Sequence, residues 1–254
     1  MLVEEIGKRE GKPRRNGLTM LIDKGVGLAS FEETLQLAGG YIDFIKLGFG
    51  TTLLYPMEVL SKKLLLAKKA GVTLYPGGTL FELAYHRGFI NEHFEFMKEA
   101  GFTHIEISDG TINLPEKERR SLIRESKEHG FTVITECGKK AVGSYLEIEE
   151  LEKTFYSDLE SGASHVIVEG RESGENVGIY DKNGCADTEF LCAIEKVFSG
   201  EAMNHLIWEA PRKSQQTELI LFFGKGVNMG NIQFEDAYNL ECLRRGFRFD
   251  TFVK

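Results

Sequence analysis

The sequence predicts a single-domain (β/α)8 TIM barrel with a short polar N-terminal arm, and three observations carry that prediction. Eight short β-like runs each end in a polar or charged residue, usually beside glycine, and a helical stretch follows. The residues at those ends, 23, 46, 75, 106, 136, 169, 209 and 231, fall 22 to 40 positions apart. A barrel of ~250 residues needs about 31 per unit, and it gathers its chemistry at the carboxyl ends of its strands. The runs are also rich in Val, Ile, Thr and Phe, as buried parallel strands are.

Taken in order, residues 1–16 form a polar, mixed-charge lead-in, expected on the surface or against the barrel floor, and 17–254 form the barrel. The strand runs are LTMLID to Asp23, YIDFIKLG through Lys46, VTLYPGG through Tyr75, and THIEISDG through Glu106 and Asp109. TVITECGKK through Glu136, HVIVEGR through Glu169, HLIWEAP through Glu209 and VNMGN to Asn231 complete the set. Among the helical stretches, 57–70 carries apolar residues at helical spacing with lysines opposite, and Gly71 ends it. Residues 114–130 place a proline and acids early, bases later and Gly130 last, a capping and dipole signature. The stretch 146–162 repeats the form. The longest irregular segment, 169–184, has glycines at 170, 174, 178 and 184 and is expected to form a lid on the catalytic face.

Composition narrows the function. With 254 residues, 42% hydrophobic and 28% charged, the chain reads as an ordinary globule with one substantial core. A net charge of −8 argues against a nucleic-acid surface. The charged N-terminal segment lacks the apolar stretch of a signal peptide, and no run approaches the ~18 apolar residues of a membrane span. A cytoplasmic protein is expected. Cys137, Cys185, Cys192 and Cys242 are scattered, without a C-x-x-C pair, and read as reduced thiols. Strand alternation turns Cys137 outward if Glu136 points inward.

Histidine is an unpromising acid or base here. His104, His165 and His205 enter strands from the amino end, at the barrel floor, where residues serve stability. His86, His93 and His129 fall in helical stretches. The upper rim instead collects the acids Asp23, Glu106, Asp109, Glu136, Glu169 and Glu209 with the bases Lys24, Lys46, Lys139, Lys140, Arg171 and Lys213. Each alone reads equally well as a structural ion pair; the convergence of the whole set is the signal. Alternation groups Glu136 with Lys140, and Glu169 with Arg171. Two loops suit a phosphate: the helix start after Pro211, with Ser214 as N-cap beside Arg212 and Lys213, and the turn after strand eight at Gly230. The Tyr75-Pro76-Gly77-Gly78-Thr79 turn exposes backbone as well. Carboxylates and cations together suit a small phosphorylated acid and oxygen-ligated Mg²⁺.

The segments GLTMLIDKG (17–25), YIDFIKLGFGT (41–51), LYPGGTLFE (74–82), EISDG (106–110), TECGKK (135–140), VIVEGRESG (166–174), EAPRKSQQ (209–216) and ECLRRGFRFDTF (241–252) go further. They closely resemble the phosphosulfolactate synthase family, in order and at barrel-strand spacing. The resemblance implies Mg²⁺-dependent addition of sulfite to phosphoenolpyruvate, giving (2R)-phosphosulfolactate for coenzyme M or sulfolactate biosynthesis. It also brings plant relatives linked to heat stress. On this reading Lys140 is the proton donor, with Lys139 second, and neighbouring cations are expected to lower the lysine pKa. Glu136, Glu169 and Glu209 are the metal or water ligands, with Glu136 also placed in the catalytic group. Arg171 and Lys213, with Ser214, hold phosphate or sulfonate; Lys24 and Lys46 balance sulfite and carboxylate charge, and Tyr75 lines the substrate site. A homo-oligomer is expected. The rival readings are a Schiff-base aldolase using Lys46 or Lys140, and a non-catalytic stress-related barrel.

Overall fold

The computed structural model describes residues 9–252. Eight parallel strands stand where the eight runs predict them: β1 Thr19–Asp23, β2 Phe44–Leu47, β3 Thr73–Pro76, β4 His104–Ile107, β5 Thr132–Cys137, β6 Ala163–Val168, β7 Leu206–Glu209 and β8 Met229–Ile232. Their lateral order is β3-β2-β1-β8-β7-β6-β5-β4, so every strand pairs with its sequence neighbours except across β3–β4, and β8 returns beside β1. No ladder joins β3 to β4; side chains bridge that seam. Tyr75 Oη donates to Glu106 at 3.1 Å, and Gly78 N donates to the other Glu106 oxygen at 2.6 Å. A Cβ at Gly78 would overlap Ser108 Oγ, so only glycine lets the β3 loop approach β4 this closely.

Helices surround the strands: α1 Leu28–Ala38, α2 Thr51–Leu54, α3 Met57–Lys69, α4 Gly78–Arg87, α5 Ile90–Ala100, α6 Glu116–Glu128, α7 Ile148–Ser161, α8 Thr188–Val197, α9 Lys213–Phe223 and α10 Ala237–Arg244. The predicted termini hold. Helix α6 follows Pro115 with Glu116 and Glu118 in its first turn, and Gly162 ends α7 in a left-handed conformation. Expectation fails at Lys63, which sits on the supposed solvent face of α3 but is fully buried.

Alternation along the strands builds two cores. Outward residues such as Leu21, Ile45, Val133 and Val166 pack under the helices, while Met20, Phe44, Tyr75, Ile134, Ile167 and Ile207 fill the barrel. The spacing His-x-Ile-x-Glu recurs at 165–169 and 205–209, and it maps onto floor, middle and rim. His104 and His165 both pack edge-on against Phe44 with centroids 6.0 Å away, and His165 lies tilted 6.0 Å from His205. Cys137 points outward, as alternation requires, and burial pushes its thiol up to about 12.

Of the lead-in 1–16, residues 1–8 lie outside the described residues. The remainder packs on the floor: Lys12 donates to the carbonyls of Gly39 and Gly71, Arg14 pairs with Asp43 at 3.5 Å, and Arg9 pairs with Glu241.

Burial also holds His104 and His165 neutral, each at a pKa of about 4 against an ordinary 6.5. The native state therefore binds fewer protons than the unfolded chain between those values. The stability they contribute is complete above pH 6.5 and is lost as pH falls towards 4. Substituting His165→Phe should flatten the acid-side decline in stability relative to the parent. Urea midpoints from pH 7 to 4 test this, and parallel curves for the two proteins would contradict it.

Candidate active site

Five of the inward rim positions carry charge. Lys46 lies on β2, Glu106 on β4 and Glu136 on β5, while Glu169 follows β6 and Glu209 ends β7. All five residues are buried and line one cavity of about 360 Å³, where Lys140 and Arg171 join them from the loops after β5 and β6. Lys46 Nζ lies 2.6 Å from Glu209, 3.4 Å from Glu136 and 3.8 Å from Glu106. Lys140 Nζ lies 2.9 Å from Glu136 Oε1, close enough for an ion pair although not aligned as a hydrogen bond. It is also 3.5 Å from Glu82 and 3.7 Å from Glu169.

Four carboxylates thus share two ammonium groups around one hollow. Oxygens of Glu136, Glu169 and Glu209 all fall within 4.8 Å of one another, a donor set able to hold a metal ion. The imbalance appears in their titration. Burial raises Glu106 to about 7 despite Lys46. Burial and the charges of Glu136 and Glu209 push Glu169 well above the usual carboxylate range. Glu136 goes the other way: burial opposes its charge, but Lys140 and Lys46 hold its pKa low. Burial likewise disfavours charge on Lys46 and Lys140, yet the acids around them raise both above the ordinary lysine value. The expected lowering of the Lys140 pKa is therefore reversed, because its near neighbours are carboxylates.

Backbone strain gathers at the same place. Among the described residues, four non-glycines have left-handed φ, and three of them, Phe49 (58°), Arg171 (58°) and Asn231 (55°), line this cavity. Arg171 is held in place by its own amide, which donates to Glu169 Oε1 at 2.7 Å.

Several expected members lie elsewhere. Asp23 faces outward from β1, where its carboxylate accepts from buried Lys63 at 2.6 Å and from Tyr55 at 2.7 Å. Lys24 is exposed, one residue beyond the end of β1, and is not among the cavity-lining residues. Lys139 and Asp109 bond each other outside the barrel, Lys139 also reaching the Asp109 and Ile112 carbonyls, because consecutive residues after β5 point to opposite sides. Tyr75 is fully buried beneath the site, its hydroxyl within hydrogen-bond reach of Glu106 and of Met20 Sδ, and does not line the cavity. The helix start after β7 is built differently from the expectation. Arg212, not Ser214, is the N-cap of α9, Ser214 is exposed, and Lys213 pairs with Asp250 at 2.7 Å. Gln215 and Arg212 tie that helix start to the loop after β6, through Gly174 O at 2.8 Å and Ser173 O at 2.7 Å. That loop is a packed cover, with Val177, Ile179 and Tyr180 buried; only its first residues reach the cavity.

Residues 7–250 match the family model for (2R)-phospho-3-sulfolactate synthase (ComA). The chain belongs to that synthase family. It is 42% identical over 242 residues to the phosphosulfolactate synthase of Methanocaldococcus jannaschii, covering 94% of this chain and 95% of the relative. It is 38% identical over 250 residues to the phosphosulfolactate synthase of Bacillus subtilis, covering 98% and 97%. The YdjI aldolase from Escherichia coli shares the fold with a TM-score of 0.58, at 12% identity, over 87% of this chain and 76% of that one. The family is one of enzymes, and the chain is an enzyme.

Two buried charges of this synthase-family barrel escape strand-end reasoning because they come from helices. Glu82 on α4 accepts from Gly110 N and Thr111 N, both at 3.0 Å, and from the Ser108 and Thr111 hydroxyls. It thereby fixes the loop after β4 against Lys140, whose backbone N–H donates to Gly110 O at 3.0 Å. Lys63 does the same for the loops after β1 and β2, donating also to Val26 O and Tyr55 Oη. The LYPGGTLFE segment contains Glu82, but only helix packing reveals its direction.

Lys46 is the centre of this charge pattern. Replacing it by Met should cost about 3–5 kcal/mol at neutral pH, since three acids lose their common buried counter-ion. The loss should shrink at pH 5, where Glu106, raised by burial to about 7, is protonated and no longer needs a counter-ion. Urea titrations at the two pH values measure it, and a loss independent of pH would show that the acids are balanced in some other way.

Proposed function

We propose that this enzyme adds sulfite to phosphoenolpyruvate to form (2R)-phosphosulfolactate, with Mg²⁺ held by Glu136, Glu169 and Glu209. One observation carries the reading: in a chain of this family, a rim cavity joins convergent buried acids to protonated lysines and an arginine. The donor set suits a hard cation. It is entirely oxygen, and Glu169 Oε2 is buried without a hydrogen-bond partner. Bound there, Mg²⁺ supplies Lewis-acid charge to an oxygen of the substrate.

The chain's own residues account for the remaining chemistry. Sulfite sulfur gives its lone pair to C3, forming the C–S bond, while the C2–C3 π pair moves through C2 onto the substrate carboxylate. Protonation at C2 then completes the addition. Lys140 is the donor: its Nζ enters the cavity, whereas Lys139 is turned away. Glu136, Glu169 and Glu82 keep Lys140 charged, and a carbon bearing enediolate-like charge is basic enough to take a proton from so weak an acid. Arg171, open at the rim, binds phosphate or sulfonate, and Lys46 beneath it neutralises the acids that face both reactants. The same high lysine pKa disfavours the imine route, which needs a neutral amine.

The product serves sulfolactate or coenzyme M formation in this reading, and the enzyme is a cytosolic homo-oligomer. The exposed apolar side chains of Leu53, Leu54 and Met57 support self-association. Among the described residues no helix is long and apolar enough to cross a membrane.

Incubation with phosphoenolpyruvate, sulfite and Mg²⁺ should yield phosphosulfolactate by mass spectrometry, with turnover abolished by EDTA and restored by added Mg²⁺. Absence of the product would remove the proposal. Under saturating Mg²⁺, Lys140→Ala should lower kcat by roughly 10²-fold or more, the usual scale for a lost general acid. Near-normal turnover in that variant would exclude Lys140 as the donor.

A further inference from the structure

Strand β8 contains an irregularity that its neighbours lack. Thr19 on β1 pairs with Met229, but Leu21 pairs with Ile232, so β8 carries one extra residue over this stretch. The bulge falls on Gly230 and Asn231. A Cβ on Gly230 would collide with Met20 Cε and crowd Ile207, both in the inner core, so Gly230 faces the barrel interior. In a regular strand the next side chain would point out towards the helices. Instead Asn231 adopts φ 55° and lines the rim cavity with Glu209 and Ile22. Bulges beside active sites commonly re-aim a side chain in this way.

The re-aimed side chain has no structural employment. Asn231 is only 3% exposed, and its Oδ1 has no hydrogen-bond partner. A buried amide left unbonded is unfavourable, and so is a left-handed backbone at a residue with a Cβ. Glycine would satisfy the bulge without either cost. We infer that Asn231 contacts the substrate, its amide donating to an acidic oxygen of phosphoenolpyruvate. The identity of that anion rests on the function proposed above. An amide is well suited to this wall of the cavity. A lysine there would be captured by Glu209, and a carboxylate would add to the excess acid. A neutral donor remains available, and it turns its NH₂ towards an anion by rotation about its last bond.

Calorimetric titration with phosphoenolpyruvate in the presence of Mg²⁺, on the parent, Asn231→Gly and Asn231→Asp, decides the matter. The glycine variant should melt at the same or a higher temperature and bind phosphoenolpyruvate at least tenfold more weakly. The aspartate variant, similar in shape and tolerant of the same backbone, should bind more weakly still. Parental affinity in a folded glycine variant overturns the inference; should that variant fail to fold, parental affinity in the aspartate variant overturns it. Product analysis in parallel separates the two readings. A parent that binds phosphoenolpyruvate yet forms no phosphosulfolactate defeats the proposed reaction, while the affinity comparison still decides Asn231. A parent that does not bind phosphoenolpyruvate defeats both.

Discussion

Everything at the catalytic end depends on one electrostatic constraint: four glutamates are buried around two lysines with almost no access to water. An isolated buried carboxylate is strongly unfavourable, and pairing compensates only where geometry is good. Glu136 has such pairing from both lysines, and its pKa stays low. Glu106 and Glu169 do not, and both are raised. The excess acid must therefore be met by protons or by an added cation. The strands carrying these acids are locked by ladders on both sides or, at the β3–β4 seam, by Glu106 itself. The ring cannot relax by moving apart, so its charge demand is directed at whatever enters the cavity.

Much of this was legible in the sequence, for a definite reason. Barrel strands impose a period of two, and the chain writes His-x-Ile-x-Glu into that period. Floor, interior and rim could therefore be separated residue by residue, and Glu136, Glu169, Glu209, Lys46 and Lys140 all reach one cavity. The period stops being informative where the strands end. Asp23 is the last residue of β1 and faces the helices; Lys139 and Asp109 lie in loops; Ser214 was given a cap role that Arg212 fills. Glu82 and Lys63 were missed because a helix period says which face a residue shares, not that its side chain is drawn over a barrel rim. The direction of the Lys140 pKa is not legible from the chain, because Lys139 is its neighbour in sequence while its neighbours in space are acids.

Balance distinguishes the two kinds of buried charge in this molecule. Outside the barrel, Arg119 forks onto Asp158 with contacts of 2.6 to 3.1 Å and also reaches the Glu136 carbonyl. Lys63 is similarly enclosed by Asp23, Val26 O and Tyr55, with the Tyr55 ring 4.0 Å away. Both groups are buried, yet every donor nitrogen finds an acceptor, and they fasten helices and loops to strand ends. Inside the rim the accounts are left open: a Glu169 oxygen and the Asn231 amide oxygen without hydrogen bonds, and more acids than bases. Left-handed backbone at Phe49, Arg171 and Asn231 concentrates in the same space. Unmet polar groups and conformational strain both lower stability, and the fold tolerates them only because the closed ion pairs beneath and outside hold the frame. A ligand that satisfies the open groups would recover part of that loss on binding, which is why incompleteness, rather than burial or charge alone, marks this cavity as the site.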